Sequence, residues 1–402
     1  MEEMEYAVLL DDNFSVPDVG GRIGASIPSA PSTSILGSTS GSSLTVAAER
    51  FTTKQAADQM RDPRTRAMAP SMPMSLIKPM DMDTPNAQPF DGNIAWGVKA
   101  VGAADTTLTG DGVVVAVLDT GIDPNHEAFQ GVTLERKNFT DETDDDLNGH
   151  GTHCAGTIFG RDVGGKRIGV APGIKRAMIA KVLGSGGGTS VQIADAINWA
   201  LSGGAQIISM SLGIDFPGFV KQLVDLNGFD TRRATSVALE GYRANVHLYA
   251  QVADLASARA MFGGGAMIVA AAGNESTPEF DIAVAPPAAA EGILAVGAVG
   301  QSSNGLIVAP FSNSQVNVVG PGVAIESAKV GGGLSSLNGT SMATPHAAGV
   351  AALHAEKIKL DMGILNTVFL KQVLSTSGSH APLAPSDRDF ASVGSGLIQA
   401  PA

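Results

Sequence analysis

Residues 113–123 read VVVAVLDTGID: six apolar residues without interruption, then an acid, a threonine and a glycine. An alternating strand keeps one face wet, whereas a run that is apolar on both faces suits a central strand of a parallel sheet covered on each side. The acid then emerges at the carboxyl edge of that sheet, where open α/β folds gather their functional groups. Four more runs share the pattern: AMIAKVL (177–183), QIISMSL (206–212), AMIVAAA (266–272) and ILAVGAV (293–299). Helix-like segments separate them. In TSVQIADAINWALSGG (189–204), Ile193, Ile197 and Leu201 line one face and Thr189 or Ser190 caps the start. Strand and helix in alternation predict an α/β fold, a doubly wound and mostly parallel sheet with helices on both faces.

Composition bounds the rest. The 402 residues are 44% hydrophobic and 16% charged, enough for a large core with an appendage. With 49 glycines and 5% aromatics, that core is built from small residues at close approach. A net charge of −13 argues against nucleic acid, which wants a basic face. A single cysteine allows no internal disulfide and no Cys-rich zinc site. No apolar run of about 18 residues predicts a membrane span. The acidic start MEEME lacks the basic n-region of a signal peptide and so leaves location open.

The first 80 residues differ from the body. EYAVLL (5–10) reads as a strand, SIPSAPSTSILGSTSGSS (26–43) as a flexible tract, and 52–70 as a short helix, a turn at Asp62–Pro63 and a strand. PSMPMSLIKPMDMDTPNAQPFDG (70–92) is rich in Pro and Met and reads as a linker that its prolines keep out of regular ladders. The division is therefore 1–80 as a small α+β N-terminal region, 81–89 as linker and 90–402 as the main domain, with a helical insertion at 214–265.

Two further stretches carry chemistry. LNGHGTHCAGTI (147–158) crowds two histidines and the cysteine together, but zinc needs three or four ligands in tetrahedral array, and this spacing has no partner elsewhere. NGTSMATPHAAGVAAL (338–353) sets Ser341 ahead of an Ala/Gly-rich helix, where its backbone N–H can face an oxyanion but, taken alone, it reads first as an ordinary N-cap. Taken one at a time, Asp119 reads as a turn or helix cap as well as a catalytic acid.

Taken together, VAVLDTGID, GHGTHCAGT and NGTSMATPHAAG resemble the three signature blocks of the subtilisin-like serine proteases, in that family's order of Asp, His and Ser. IAKVLGSGG, ISMSLG, VAAAGNES and APFSNSQVNVVGPGV add further likeness, from about Phe90 into the mid-350s, and HGTHCAG resembles the proteinase K branch. The resemblance implies a serine endopeptidase with Asp119, His150 and Ser341 as triad and Asn274 as oxyanion donor. It implies an extended-peptide cleft between Ser185, Gly186, Gly187 and Gly188 on one side and Ser211, Leu212 and Gly213 on the other. Ala271, Ala272 and Gly273 would line a P1 pocket floored near Ala285; with no acid there, it favours an apolar residue. His153 and His346 become packed structural residues and Cys154 a small buried one. A histidine base predicts a rate that rises through about pH 6.5 to 7.

The chemistry requires no cofactor. FGRDVGGKR (159–167) offers few oxygens for a family-type calcium loop, and Ala128 stands where a carboxylate is usual. TDETDDDLNGH (140–150) reads either as a solvated acidic run or as a structural calcium site through Asp141, Asp144, Asp145 and Asp146. The insertion, with Arg232, Arg233, Arg243 and Arg259, reads as a solvated cover or as a partner element. Expected partners are protein or peptide substrates and the chain's own N-terminal region, a prodomain-like piece cleaved between about Pro70 and Pro89 and then acting as an inhibitor. Two alternatives accompany this reading: a dedicated processing or peptide-ligating enzyme of the same fold, and a non-catalytic peptide-binding relative.

Overall fold

A computed structural model describes residues 3–11, 44–81, 92–258 and 265–402. The Ser/Pro-rich tract, the linker from 82 onward and Arg259 lie outside the described residues. The N-terminal region is a three-stranded antiparallel sheet in the order β2-β1-β3, from β1 (Met4–Asp11), β2 (Leu44–Phe51) and β3 (Thr65–Pro70). Between β2 and β3 runs α1 (Thr53–Gln59), closed by a capping box in which the side chains of Thr52 and Gln55 satisfy each other's backbone N–H.

The next segment corrects the linker reading. Pro73–Leu76 is a strand, β4, inside the Pro- and Met-rich stretch. Pro73 is its first residue, where a missing N–H does least harm, so the prolines bracket this ladder rather than forbid it.

The body opens with α2 (Trp96–Ala100) and then β5 (Val114–Asp119), the strand of the opening motif. Along the chain follow β6 (Thr133–Asn138), α3 (His150–Phe159), β7 (Arg176–Lys181), β8 (Gly188–Thr189), α4 (Ser190–Ser202), β9 (Ile207–Met210) and β10 (Leu212–Ile214). The insertion is a pair of helices, α5 (Phe216–Asp225) and the long α6 (Thr231–Ala258). The remainder is β11 (Met267–Ala271), β12 (Leu294–Ser302), β13 (Gly305–Val308), β14 (Val318–Pro321), the hairpin β15 (Ile325–Ala328) and β16 (Leu334–Leu337), then α7 (Thr340–Met362), α8 (Thr367–Thr376) and α9 (Phe390–Val393).

The main sheet runs β13-β12-β11-β9-β5-β7-β6, with β14 also on β12, and every pairing is parallel except β12 with β13. Its faces are apolar on both sides, as the uninterrupted runs require. Ala116 and Leu118 of β5 join the core under α4 and α6, while Val115 and Val117 join the one under α3 and α7. From β5 the chain runs to β6 and back to β7 on one side and then to β9 on the other, so Asp119 ends its strand at a topological switch point. Among the described residues no helix is long and apolar enough to cross a membrane.

The N-terminal sheet shares the α4/α6 core: Ala7, Leu9, Ala67, Ala69, Met72 and Met74 pack in one cluster with Ala238, Leu248 and Tyr249 of α6. Asn245 Nδ2 donates to Pro70 O at 2.9 Å, and Gly241 lets Pro70 and Met72 lie close against the helix. The inner face of the insertion is thus the dock for the chain's own N-terminal region, while Arg232, Arg233 and Arg243 stay on its exposed side. Tyr249 is fully buried at this junction, its hydroxyl donating to Ser190 O at 3.4 Å. Tyr249→Ala should lower stability by about 3–5 kcal/mol, the range for truncating a buried aromatic. Urea denaturation of the Ser341→Ala protein measures it.

Candidate active site

Three chain segments meet at the carboxyl edge of the sheet. Asp119 ends β5, His150 starts α3 and Ser341 is the second residue of α7; all three are buried. His150 Nδ1 lies 2.8 Å from Asp119 Oδ1 and 3.0 Å from Oδ2. Asp119 Oδ1 also accepts from Thr120 N at 2.7 Å. The approach of α3 to this edge requires a glycine: a Cβ on Gly151 would collide with the carbonyl oxygen of Gly121. With Oδ1 and Oδ2 accepting at Nδ1, that nitrogen carries the proton and Nε2 is left as the basic one.

Burial alone lowers the pKa of His150, but the facing Asp119 carboxylate outweighs it and holds the imidazole well above its ordinary value. His153 and His346 show the opposite case. Burial pushes them down to about 3 and about 4, so both are neutral. His153 Nε2 donates to Ile325 O at 2.9 Å and His346 Nδ1 to Met342 O at 2.8 Å, which makes them packing residues. Cys154 is buried with its Sγ 3.4 Å from Ser341 O, and burial raises its thiol pKa, so it stays a protonated neighbour rather than a nucleophile.

Asn274 is fixed by its own acceptor. Thr340 N and Thr340 Oγ1 both donate to Asn274 Oδ1 at 2.9 Å, which aims the Nδ2 donor across the site. Its present partner is Lys78 O, at 2.9 Å. Ser341 Oγ donates to Ile77 O at 2.9 Å, and His150 Nε2 is buried with no hydrogen-bond partner among the described residues.

Those contacts belong to the chain's own N-terminal tail. β4 lies antiparallel between β10 and β8, with Ser75 opposite Gly213, Leu76 opposite Leu212 and Met74 opposite Gly188. Of the residues expected to form the cleft edges, Gly188, Leu212 and Gly213 pair directly with this strand. Gly187 has φ 85°, and a Cβ there would stand 2.5 Å from Met74 O, so glycine is what admits the strand. Ser185 faces elsewhere: its N and Oγ donate to Glu142 Oε1 at 2.7 and 2.6 Å. Ser211 Oγ donates to Ser341 O at 3.2 Å, bracing the helix start rather than the tail. A Cβ at Gly186 would meet nothing within 4 Å among the described residues. Ala271, Ala272 and Gly273 are buried at the end of β11, and Ala285 N donates to Ala272 O at 3.4 Å. The buried Ile77 lies with its side chain 3.8 Å from the Gly213 Cβ position, while Lys78 points to solvent.

Sequence reasoning passed over Asn338. Its O accepts from Met80 N at 2.9 Å and its Nδ2 donates to Met80 O at 2.8 Å, gripping the tail beyond Ser341. Its own Oδ1 is held by Ala324 N at 2.7 Å. The only available signal was its place in NGTS, three residues before Ser341. The four aspartates of the acidic run do not converge on one point. Asp141, Asp144 and Asp145 are exposed and Asp146 is buried; among the described residues the only trio of His, Cys and acidic groups close enough to share an ion is Asp119, His150 and Cys154.

A parallel sheet whose switch point holds an aspartate, a histidine and a helix-start serine in that chain order defines the subtilisin type of α/β protein. The subtilase family (Peptidase S8) matches residues 110–390, and the chain belongs to that family. It is 35% identical over 271 residues to Subtilisin Savinase of Lederbergia lenta, covering 66% of this chain and 85% of that one. It is 35% identical over 271 residues to the M-protease of Shouchella clausii, covering 66% of this chain and 60% of the relative. To Subtilisin-like protease 6 of Trichophyton tonsurans it is 33% identical over 271 residues, covering 64% and 57%. The chain therefore spans somewhat under two thirds of the length of the latter two.

As the expected base, His150 must be neutral to act, and the carboxylate raises its pKa, so activity should be low at acid pH and rise only above pH 6.5, later than an isolated histidine would give. Asp119→Asn should move that rise to lower pH and cut kcat by about 10⁴, the size of the corresponding loss in a serine-protease triad. The pH profile of kcat/KM on a peptide substrate reads both; a rise centred at or below 6.5, or one that does not move in Asp119→Asn, contradicts the assignment.

Proposed function

We propose that the protein is a serine endopeptidase that cleaves extended peptides, made as a precursor whose N-terminal region blocks and then releases its own cleft. One observation carries this reading: β4 is an added strand between β8 and β10, and it delivers the Ile77 carbonyl to Ser341 Oγ. Strand addition gives affinity through main-chain hydrogen bonds and specificity through pockets for alternate side chains. The residue whose carbonyl meets Ser341 Oγ is the apolar Ile77, which supports the apolar P1 preference expected.

In the reaction, His150 Nε2 takes the Ser341 proton as Oγ attacks the carbonyl carbon, and later returns it to the departing amine. Asp119 holds the tautomer and stabilises the imidazolium. Asn274 Nδ2 and Ser341 N receive the charge that develops on oxygen. The precursor is poised but off register for this chemistry. Ser341 Oγ spends its proton on the Ile77 oxygen, His150 Nε2 is left without its serine, and Asn274 holds the carbonyl of Lys78 rather than that of Ile77. A small shift of the tail that places the Ile77 oxygen on Asn274 frees Oγ to turn to Nε2. The bond to be cut is then Ile77–Lys78.

The expressed wild type should accumulate a product beginning at Lys78, whereas Ser341→Ala should keep all 402 residues; intact mass and N-terminal sequencing tell them apart. An active wild type that remains full length would refute self-processing. Asn274→Ala should lower kcat by roughly 10² to 10³ with KM little changed, the magnitude known for such a donor in a subtilisin. A loss confined to KM would remove Asn274 from the oxyanion hole.

A further inference from the structure

Lys181 is a lysine where the sheet has little room for one. It ends β7 directly beside Asp119 in the parallel register, and it is 3% exposed. Its Nζ donates to Thr143 O at 2.7 Å and to Asp145 O at 2.8 Å, and stands 3.4 Å from Glu142 Oε2. An ammonium has three protons to give, and three oxygens surround it. Two main-chain carbonyls and a carboxylate are also the donor types that a hard cation collects. All three come from the acidic run that leads into His150.

The other acids of the run leave little for an ion. Asp146 is saturated by protein donors. Its Oδ1 accepts from Thr120 Oγ1 and Gly149 N at 2.8 Å and from Asn148 N at 3.2 Å; its Oδ2 accepts from Thr152 N at 2.9 Å and Thr152 Oγ1 at 2.6 Å. Asp144 Oδ1 accepts from Asn138 Nδ2 at 3.2 Å. Glu142 gives its Oε1 to Ser185, and those hydrogen bonds, with the nearby Lys181 ammonium, hold its carboxyl below the usual range. Asp141 and Asp145 sit on the solvent side. The donor set does not fit a structural calcium ion.

We infer that the Lys181 ammonium is the built-in cation of the 140–149 loop, taking the place of calcium there and acting as a positioning residue for His150. The loop folds around it through the carbonyls of 143 and 145. Asp146 next in line ties the loop to Thr120, Gly149 and Thr152 on either side of His150. Through Glu142 the same ammonium also reaches Ser185, which lies outside the strands that pair with the tail.

This inference rests on the reading of His150 as the base, and two arms separate its failure from the failure of that reading. In the first, the full-length Ser341→Ala protein is stripped with EDTA and titrated calorimetrically with calcium chloride. The variant that also carries Asp141→Asn, Asp144→Asn and Asp145→Asn should bind the same number of ions, zero included. One ion fewer in that variant overturns the proposal without any appeal to activity. In the second, Lys181→Met in the active protein should lower kcat by about tenfold to hundredfold, the cost of displacing a catalytic group by up to about 1 Å, in EDTA and in calcium alike. KM should change by less than about threefold, because the peptide-binding strands are left in place. An unchanged kcat, or a loss seen only in KM, overturns the positioning role. If Lys181→Met does not fold, the calcium arm decides.

Discussion

The structure turns on one buried pair, Asp119 facing His150 at the end of a strand with no other polar residue. A carboxylate in such a place is costly unless its oxygens are met. Thr120 N and His150 Nδ1 meet them, which draws the start of α3 down onto the edge of β5 so closely that residue 151 has no space for a side chain. The same pairing sets the tautomer of His150 and raises its pKa, so the geometry that satisfies the acid also leaves Nε2 as the basic nitrogen.

Everything around the pair serves to keep that edge fixed while leaving its outer side open to a strand. Asp146 and Lys181 pin the loop before His150 from within, Thr340 aims Asn274, and Asn338 holds the chain beyond Ser341. That outer side is bounded by β8 and β10, whose facing edges β4 pairs, and a sheet edge of that kind is a template for an extended chain. Here β4 uses that template; on the proposed reading, substrate binding and self-inhibition are one interaction, differing in the register of a carbonyl against Asn274 and Ser341.

The insertion shows how the tail is kept there. A lone four-residue strand would be weakly held, since short strands gain little beyond their ladder. Here β4 continues from a sheet whose apolar face shares a core with α4 and α6, and Met72 N and O bond Ser190 Oγ and N on the way in. Tyr249 and Leu248 of α6 share that core with the tail, and Gly241 lets Pro70 and Met72 approach the helix.

Much of this was legible in the sequence, because its signals are local. Uninterrupted apolar runs marked β5, β7, β9, β11 and β12, spacing and a capping Thr marked α4, and three motifs in one order identified the family. Other features were not legible. Pro73–Leu76 looked like linker because proline penalises ladders in general, and only the tertiary gap between β8 and β10 shows that a strand starting at proline fits there. The acids at 140–149 looked like a free cluster because sequence gives charge without direction; folding turns Asp146 inward to five donors, leaves Asp141 and Asp145 outside, and brings a lysine from β7, more than thirty residues on, into their midst. The sequence by itself determined which elements form and which residue types are at hand, since hydrophobic period and capping act over a few residues. The tertiary structure decided who partners whom, because a hydrogen bond or an ion pair depends on distances that only packing between remote segments sets.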